Sequence, residues 1–199
     1  MRIGVLGGSF DPPHLGHLAL AHAATRALEL DEVLFIPAMR NPLKHQQMLA
    51  APKHRLEMVR RLIQDEPKFA VSDIELNRGG PSFTLETLQE LHLLRPGDYW
   101  ILMGADALAN FLEWKLPEKI LRLARIGACF RPPTTLDHAV LGLPDWVKEK
   151  IDRVPLDGLE ASSTQIRNQI ERGFGIAKTV PPDIAAYILE HDLYRSTTD

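Results

Sequence analysis

The chain has 199 residues, 45% hydrophobic and 25% charged, with a formal net charge of −3 and one cysteine. That length suffices for one domain with a substantial core, and the composition is ordinary for a globular protein. The slight negative charge gives no general attraction to nucleic acid or anionic membranes, so a polyanion would have to be met by a local cluster. The lone Cys129 excludes an internal disulfide framework.

The opening MRIGVLGG has no long apolar segment and no cleavage site, and no stretch of the chain approaches transmembrane length, so a cytoplasmic location is expected. RIGVLG, 2–7, reads as a strand buried on both faces that breaks at Gly7 and Gly8. HLALAHAATRALEL then repeats apolar residues at helical spacing over about 15–28, and VLFIPA, 33–38, reads as a second strand stopped by Pro37. Strand, glycine-rich turn, helix and strand form a βαβ opening, which favours a mostly parallel sheet covered by helices.

The segment 38–51, AMRNPLKHQQMLAA, is polar and irregular; a connection this long is often functional. PKHRLEMVRRLIQ reads as a helix opened by Pro52, FAVSD as a strand, and SFTLETLQELHLL as a helix with Ser82 or Thr84 near its start. YWILMG, 99–104, is the next strand and leads into GADALANFLEW; IGACF, 126–130, follows and is halted by RPP. RVPLD reads as a late strand, SSTQIRNQIERG as a helix and PPDIAAYILEHDLY as a closing helix, with the final STTD frayed. The Pro-rich connection 132–147 suggests no role.

GGSFDPPHLGH, 7–17, offers itself to three chemistries. A dinucleotide fingerprint needs G-x-G-x-x-G and an acidic residue after the second strand; here the glycine spacing is wrong and the second strand ends in IPAM. A Walker site would need G-K-[ST] after the turn, which is absent. Zinc would suit two helical histidines, but H-L-G-H lacks the glutamate and spacing of the protease motif, and His22 reads as an ordinary helix residue.

A phosphate site uses more of these residues. Glycines let backbone amides approach an anion, and the free N–H groups of the following helix point toward it. His14 and His17 stand at i,i+3 and share neighbouring faces. Gly16 between them weakens the helix, which a close ligand would account for better than packing. Near the other end, Ser162, Ser163 and Thr164 supply hydroxyls at a helix start, and Arg167 lies one turn on with a guanidinium fork. A parallel sheet can bring both elements to one edge.

GGSFDPPHLGH together with SSTQIR, 162–167, resembles the nucleotidyltransferase superfamily. DIELNRGGPSFTLETL, 73–88, GADALANFLEW, 104–114, FRPP and YILEHDLY narrow the resemblance to the bacterial nicotinate-nucleotide adenylyltransferase family, over nearly the whole chain and in family order. The resemblance implies a Rossmann-like α/β nucleotidyltransferase fold in a single domain over 1–199, including the C-terminal helical region from about 162. It implies transfer of the adenylyl group of ATP to nicotinate mononucleotide, with Mg²⁺ arriving on ATP.

By the same resemblance, His14 and His17 contact the triphosphate and steady charge at the reacting phosphorus. Gly7, Gly8 and Ser9 provide close approach, and Phe10 shapes the site. Lys44, Ser162, Ser163, Thr164 and Arg167 hold phosphates. Asp106 accepts hydrogen bonds from a nucleotide hydroxyl, or else caps a helix. Thr84, Trp114 and the backbone N–H of Lys115 read the nicotinate. Arg131 is a phosphate candidate that a solvated arginine would explain as well, and Asp11 could simply brace the turn. Two positions depart from the family pattern. Leu43 stands where a loop histidine is usual, leaving Lys44 or His45 to compensate, and Glu86 replaces a common aspartate.

Overall fold

Six parallel strands form the centre of the structure, a computed structural model that describes residues 1–43, 50–130, 140–156 and 161–195. They are β1 (Arg2–Gly8), β2 (Glu32–Pro37), β3 (Phe69–Val71), β4 (Asp98–Gly104), β5 (Ala124–Phe130) and β6 (Ile151–Pro155). The order is β3-β2-β1-β4-β5-β6, with β1 paired in parallel to both β2 and β4. Chain order therefore reverses between β1 and β4, and their carboxyl ends leave a crevice of the kind in which open α/β sheets bind ligands.

The strands read as continuous apolar runs because both faces are covered. Their period-two alternation divides the side chains between two cores. Leu6, Val33, Phe35, Trp100 and Leu102 pack on one side against α1 (Leu15–Ala27), α2 (Pro52–Leu62) and α9 (Pro182–Glu190). Ile3, Val5, Leu34, Ile36, Tyr99, Ile101 and Met103 pack on the other against α4 (Thr84–Leu94) and α6 (Pro117–Leu123).

On the first face Gly4 marks a close approach. A Cβ there would lie 2.8 Å from Leu30 Cδ1 and 2.9 Å from Leu102 Cδ1. Gly4→Val is accordingly expected to lower stability by about 1–3 kcal/mol through overpacking. Urea unfolding checks this, and an unchanged midpoint would show that the two leucines swing aside without cost.

Among the described residues the structure adds helices that the sequence pattern did not reveal, α3 (Ile74–Arg78), α6 and α7 (Asp145–Lys148), and it starts α5 (Ala105–Ala109) ahead of Asp106. A polar lock holds α3 on α4. The Thr87 hydroxyl donates to Glu75 Oε1 (2.6 Å), while Arg78 donates to Thr87 Oγ1 (2.8 Å) and Glu90 Oε2 (3.0 Å). Of the two starts that the sequence offered, helix α4 takes Thr84, with Phe83 as its N-cap. Ser82 instead accepts the Met39 N–H (2.9 Å) and donates its own N–H to Arg40 O (2.8 Å). The beginning of the 38–51 segment is thereby pinned to the beginning of α4.

The late strand starts two residues earlier than its sequence suggested, at Ile151. Asp152 Oδ2 accepts there from Trp100 Nε1 (2.7 Å), and Arg125 forks onto both carboxylate oxygens (2.6 and 2.9 Å). Burial pushes the Asp152 carboxyl up, but the hydrogen bonds from Arg125 and Trp100 outweigh it and hold its pKa below the ordinary value. No helix among the described residues is long and apolar enough to cross a membrane.

Candidate active site

The crevice at the end of β1 is lined by the loop that carries the first motif. A Cβ on Gly7 would meet nothing within 4 Å, so the side facing it is open to a ligand. Gly8 is different, because a Cβ there would lie 3.2 Å from Phe10 Cζ. Phe10 has a positive φ of 49° and is 1% exposed; it belongs to the core beneath the loop rather than to a ligand surface. Its ring meets the His17 ring edge-on at 4.9 Å. The Ser9 hydroxyl is buried with no hydrogen-bond partner among the described residues.

His14 is the N-cap of α1 and His17 occupies its third helical position. Their rings stack at 3.7 Å between centroids, with 29° between planes. The His14 backbone N–H donates to His17 Nδ1 (3.1 Å), satisfying one of the helix's unpaired amides. A neutral imidazole that accepts at Nδ1 carries its proton on Nε2 and is a donor there. Gly16 corrects an expectation: a Cβ would sit 3.0 Å from His14 Nδ1 and 3.4 Å from Ala161 Cβ. Packing of the histidine ring explains this glycine, not ligand approach. His22 points away and pairs with Glu66 at 2.9 Å.

Helix α8 (Ser163–Glu171) docks directly on the same loop. Ser163 Oγ donates to Pro12 O (2.8 Å), and Arg167 Nη1 donates to Asp11 O (2.7 Å), with Nη2 reaching Thr164 Oγ1 at 3.3 Å. The two distant motifs thus meet. The Ser163 hydroxyl proton is committed to Pro12, so this residue presents an anion with its backbone N–H. Ser162 is the N-cap but makes no side-chain cap bond. Arg167 keeps further N–H donors, since a guanidinium has five.

Beneath the loop lies a buried relay that sequence reasoning missed. Arg55, 1% exposed, donates to Ser9 O (2.7 Å) and Ala50 O (3.2 Å). Asp11, 4% exposed, accepts at Oδ1 from the Ala50 N–H (3.1 Å) and from the Tyr194 hydroxyl (2.8 Å). Asp11 is thus a brace for the turn. The available signal was Arg55 standing in register with the buried Met58, Val59 and Leu62 of α2, where a charge needs partners.

Across the crevice, Gly104 is the N-cap of α5 and Asp106 its second residue, so the capping alternative for Asp106 falls away. Asp106 is exposed at the carboxyl end of β4, and its carboxylate has no hydrogen bond or ion pair among the described residues. Thr84 opens α4. Trp114 is half-buried against Phe111 at 5.4 Å. The Lys115 ammonium bonds Glu86 Oε1 (2.7 Å) and lies 4.2 Å from the centre of the Phe83 ring. Glu86 therefore ties the beginning of α4 to the 114–115 turn and brings Thr84, Trp114 and Lys115 into one neighbourhood.

Lys44, His45 and Arg131 lie outside the described residues. Burial pushes the Cys129 thiol up to about 12, which leaves it protonated and unreactive. Among the described residues no group of three or more His, Cys, Asp or Glu side chains is arranged to hold a metal ion.

The cytidylyltransferase-like family model matches residues 5–169. A Roseiflexus protein named "Probable nicotinate-nucleotide adenylyltransferase" is 43% identical over 97% of this chain and 98% of its own length. A Bordetella petrii protein of the same name is 41% identical over 98% and 99%.

The chain belongs to the nicotinate-nucleotide adenylyltransferase family.

A solved Plasmodium falciparum nicotinic acid mononucleotide adenylyltransferase, in complex with NaAD, superposes with a TM-score of 0.80 at 20% identity, covering 97% of each chain. Its likeness establishes the shared Rossmann-like nucleotidyltransferase fold. Of the two positions that the sequence reading set apart, Glu86 is held by the Lys115 bridge, and Leu43 is 42% exposed with its N–H on Asn41 Oδ1 (2.9 Å).

Proposed function

We propose that the protein transfers the adenylyl group of ATP to nicotinate mononucleotide, forming nicotinate adenine dinucleotide and pyrophosphate. The docking of α8 on the loop before the histidine pair, through Ser163–Pro12 and Arg167–Asp11, carries this reading. It puts two sets of anion-binding donors around one crevice at the reversal point of the sheet. The acceptor phosphate attacks the α-phosphorus of ATP, the new P–O bond forms and the bond to pyrophosphate breaks. With a second pKa of about 6, a phosphate monoester is largely ionised near neutrality and needs no protein base. Alignment and charge stabilisation then carry the rate.

In this reading His17, donating from Nε2, and His14 stabilise charge at the α-phosphate. Gly7, Gly8 and Ser9 cradle phosphates, with Phe10 setting the loop from beneath. Ser162, Thr164, the Ser163 N–H and Arg167 hold the triphosphate end, joined by Lys44. Arg131 is a further phosphate contact. Asp106 accepts from a ribose hydroxyl. Trp114 stacks on the pyridine ring while Thr84 and the Lys115 N–H meet its carboxylate. Mg²⁺ would come with ATP and would supply charge neutralisation at the phosphates, which suits a site whose described residues offer donors rather than a carboxylate cage. The chain acts as one nucleotidyltransferase domain in the cytoplasm. Pyrophosphate release from MgATP is expected only when nicotinate mononucleotide is supplied; release independent of any acceptor, or none with it, would refute the assignment.

A further inference from the structure

We infer that Tyr194 and Arg55 are positioning residues that act through Asp11, so that the turn after α9 completes the phosphate-binding loop. The inference rests on the adenylyl-transfer reading and extends it to residues outside the crevice.

Asp11 is where three parts of the chain converge. Its carbonyl accepts from Arg167 of α8, and its carboxylate accepts from the Ala50 N–H and the Tyr194 hydroxyl at the same oxygen. A buried carboxylate is costly unless donors and an opposite charge surround it. Arg55 supplies the charge. Burial pushes its guanidinium pKa down and the Asp11 carboxylate offsets that, while its forks hold the carbonyls of Ser9 and Ala50. Burial first, and then the adjacent carboxylate, push the Tyr194 phenol well up, so it stays a donor at any working pH. The loop from Ser9 to Asp11 is thus clamped from below at both ends.

His14 follows three residues later, and Arg167 is anchored on the same backbone. Loss of the Tyr194 donor releases Asp11 and shifts both sets of phosphate contacts together. The hydroxyl reaches across 183 residues of chain to the loop that it steadies.

A tyrosine on the same closing segment supplies the control. Tyr187 of α9 makes a 2.9 Å hydrogen bond to His54 Nδ1 of α2, a helix-to-helix tie with no link to Asp11. Tyr194→Phe is expected to lower kcat about tenfold and weaken binding of a non-hydrolysable ATP analogue about fivefold, with KM for nicotinate mononucleotide changed less than about twofold. Tyr187→Phe is expected to lower Tm with kcat unchanged. In an Asp11→Ala background, Tyr194→Phe should change kcat by less than about twofold, because residues acting as a unit are not additive.

Wild-type kcat and analogue affinity in Tyr194→Phe would overturn the inference, as would equal kcat losses in the two tyrosine variants or full multiplication with Asp11→Ala. If Asp11→Ala does not fold, the comparison of the two tyrosine variants decides. Absence of wild-type turnover would fail the activity reading alone, and calorimetric binding of the ATP analogue would still judge the relay.

Discussion

His17→Ala is expected to lower kcat by about 10²- to 10⁴-fold while the protein stays folded. The His17 ring is half-buried, stacked on His14 and steadied by the edge of Phe10, with its Nδ1 occupied by the His14 N–H. In the neutral ring Nε2 is the donor, and a preorganised donor is worth most against charge that develops in the transition state. The alanine variant also loses an acceptor for a helix-start amide, at a cost of about 1 kcal/mol. The two losses can be separated. A glutamine at the third helical position can reach back to the N-cap amide. His17→Gln should therefore recover most of the stability and little of the rate. Steady-state kinetics with thermal unfolding checks this, and near-wild-type kcat/KM in a folded His17→Ala protein would place the anchor elsewhere.

Acceptor choice gives the second large effect. The enzyme is expected to prefer nicotinate over nicotinamide mononucleotide by about 5- to 150-fold in kcat/KM, the range set by about 1–3 kcal/mol for a mispaired buried polar group. Thr84 opens α4 and so offers first-turn N–H donors, and the 114–115 turn offers the Lys115 N–H. A carboxylate satisfies such donors, whereas the amide's NH₂ opposes them with another donor. The Lys115 ammonium is already engaged by Glu86, so most of the discrimination falls on backbone donors. Trp114→Ala should weaken both acceptors and leave their ratio nearly unchanged, because stacking does not read the substituent. Competition between the two acceptors measures the ratio. Equal values would refute the acid-reading pocket and leave adenylyl transfer standing.

Much of the scaffold was legible because its signals are local. Strands buried on both faces are unbroken apolar runs punctuated by Gly7, Gly8 and Pro37. α1, α2, α4 and α9 are each long enough to show a helical repeat. Helices α3 and α7, of five and four residues, are too short for a 3.6-residue period to appear, and the seven-residue α6 scarcely completes two turns. The site motifs were legible for the same reason, since glycines, a histidine pair and hydroxyls before an arginine are spaced within single turns.

What those residues do for one another was not. Asp106 could be a cap or an acceptor until Gly104 took the cap. Gly16 fitted a ligand until the His14 ring filled the space above it. Ser163 offered a hydroxyl until Pro12 took its proton. By itself, then, the sequence determined the βαβ alternation, the two site motifs and the family. Only the tertiary structure decided that α8 rests on the Asp11–Pro12 backbone, and that Arg55 and Tyr194, 46 and 183 residues from their partners, brace that loop. The physical reason is that patterning along a chain reports backbone conformation and burial over a few residues. A buried charge finds its partners through parallel crossovers, which bring together segments whose spacing in sequence carries no trace of their meeting.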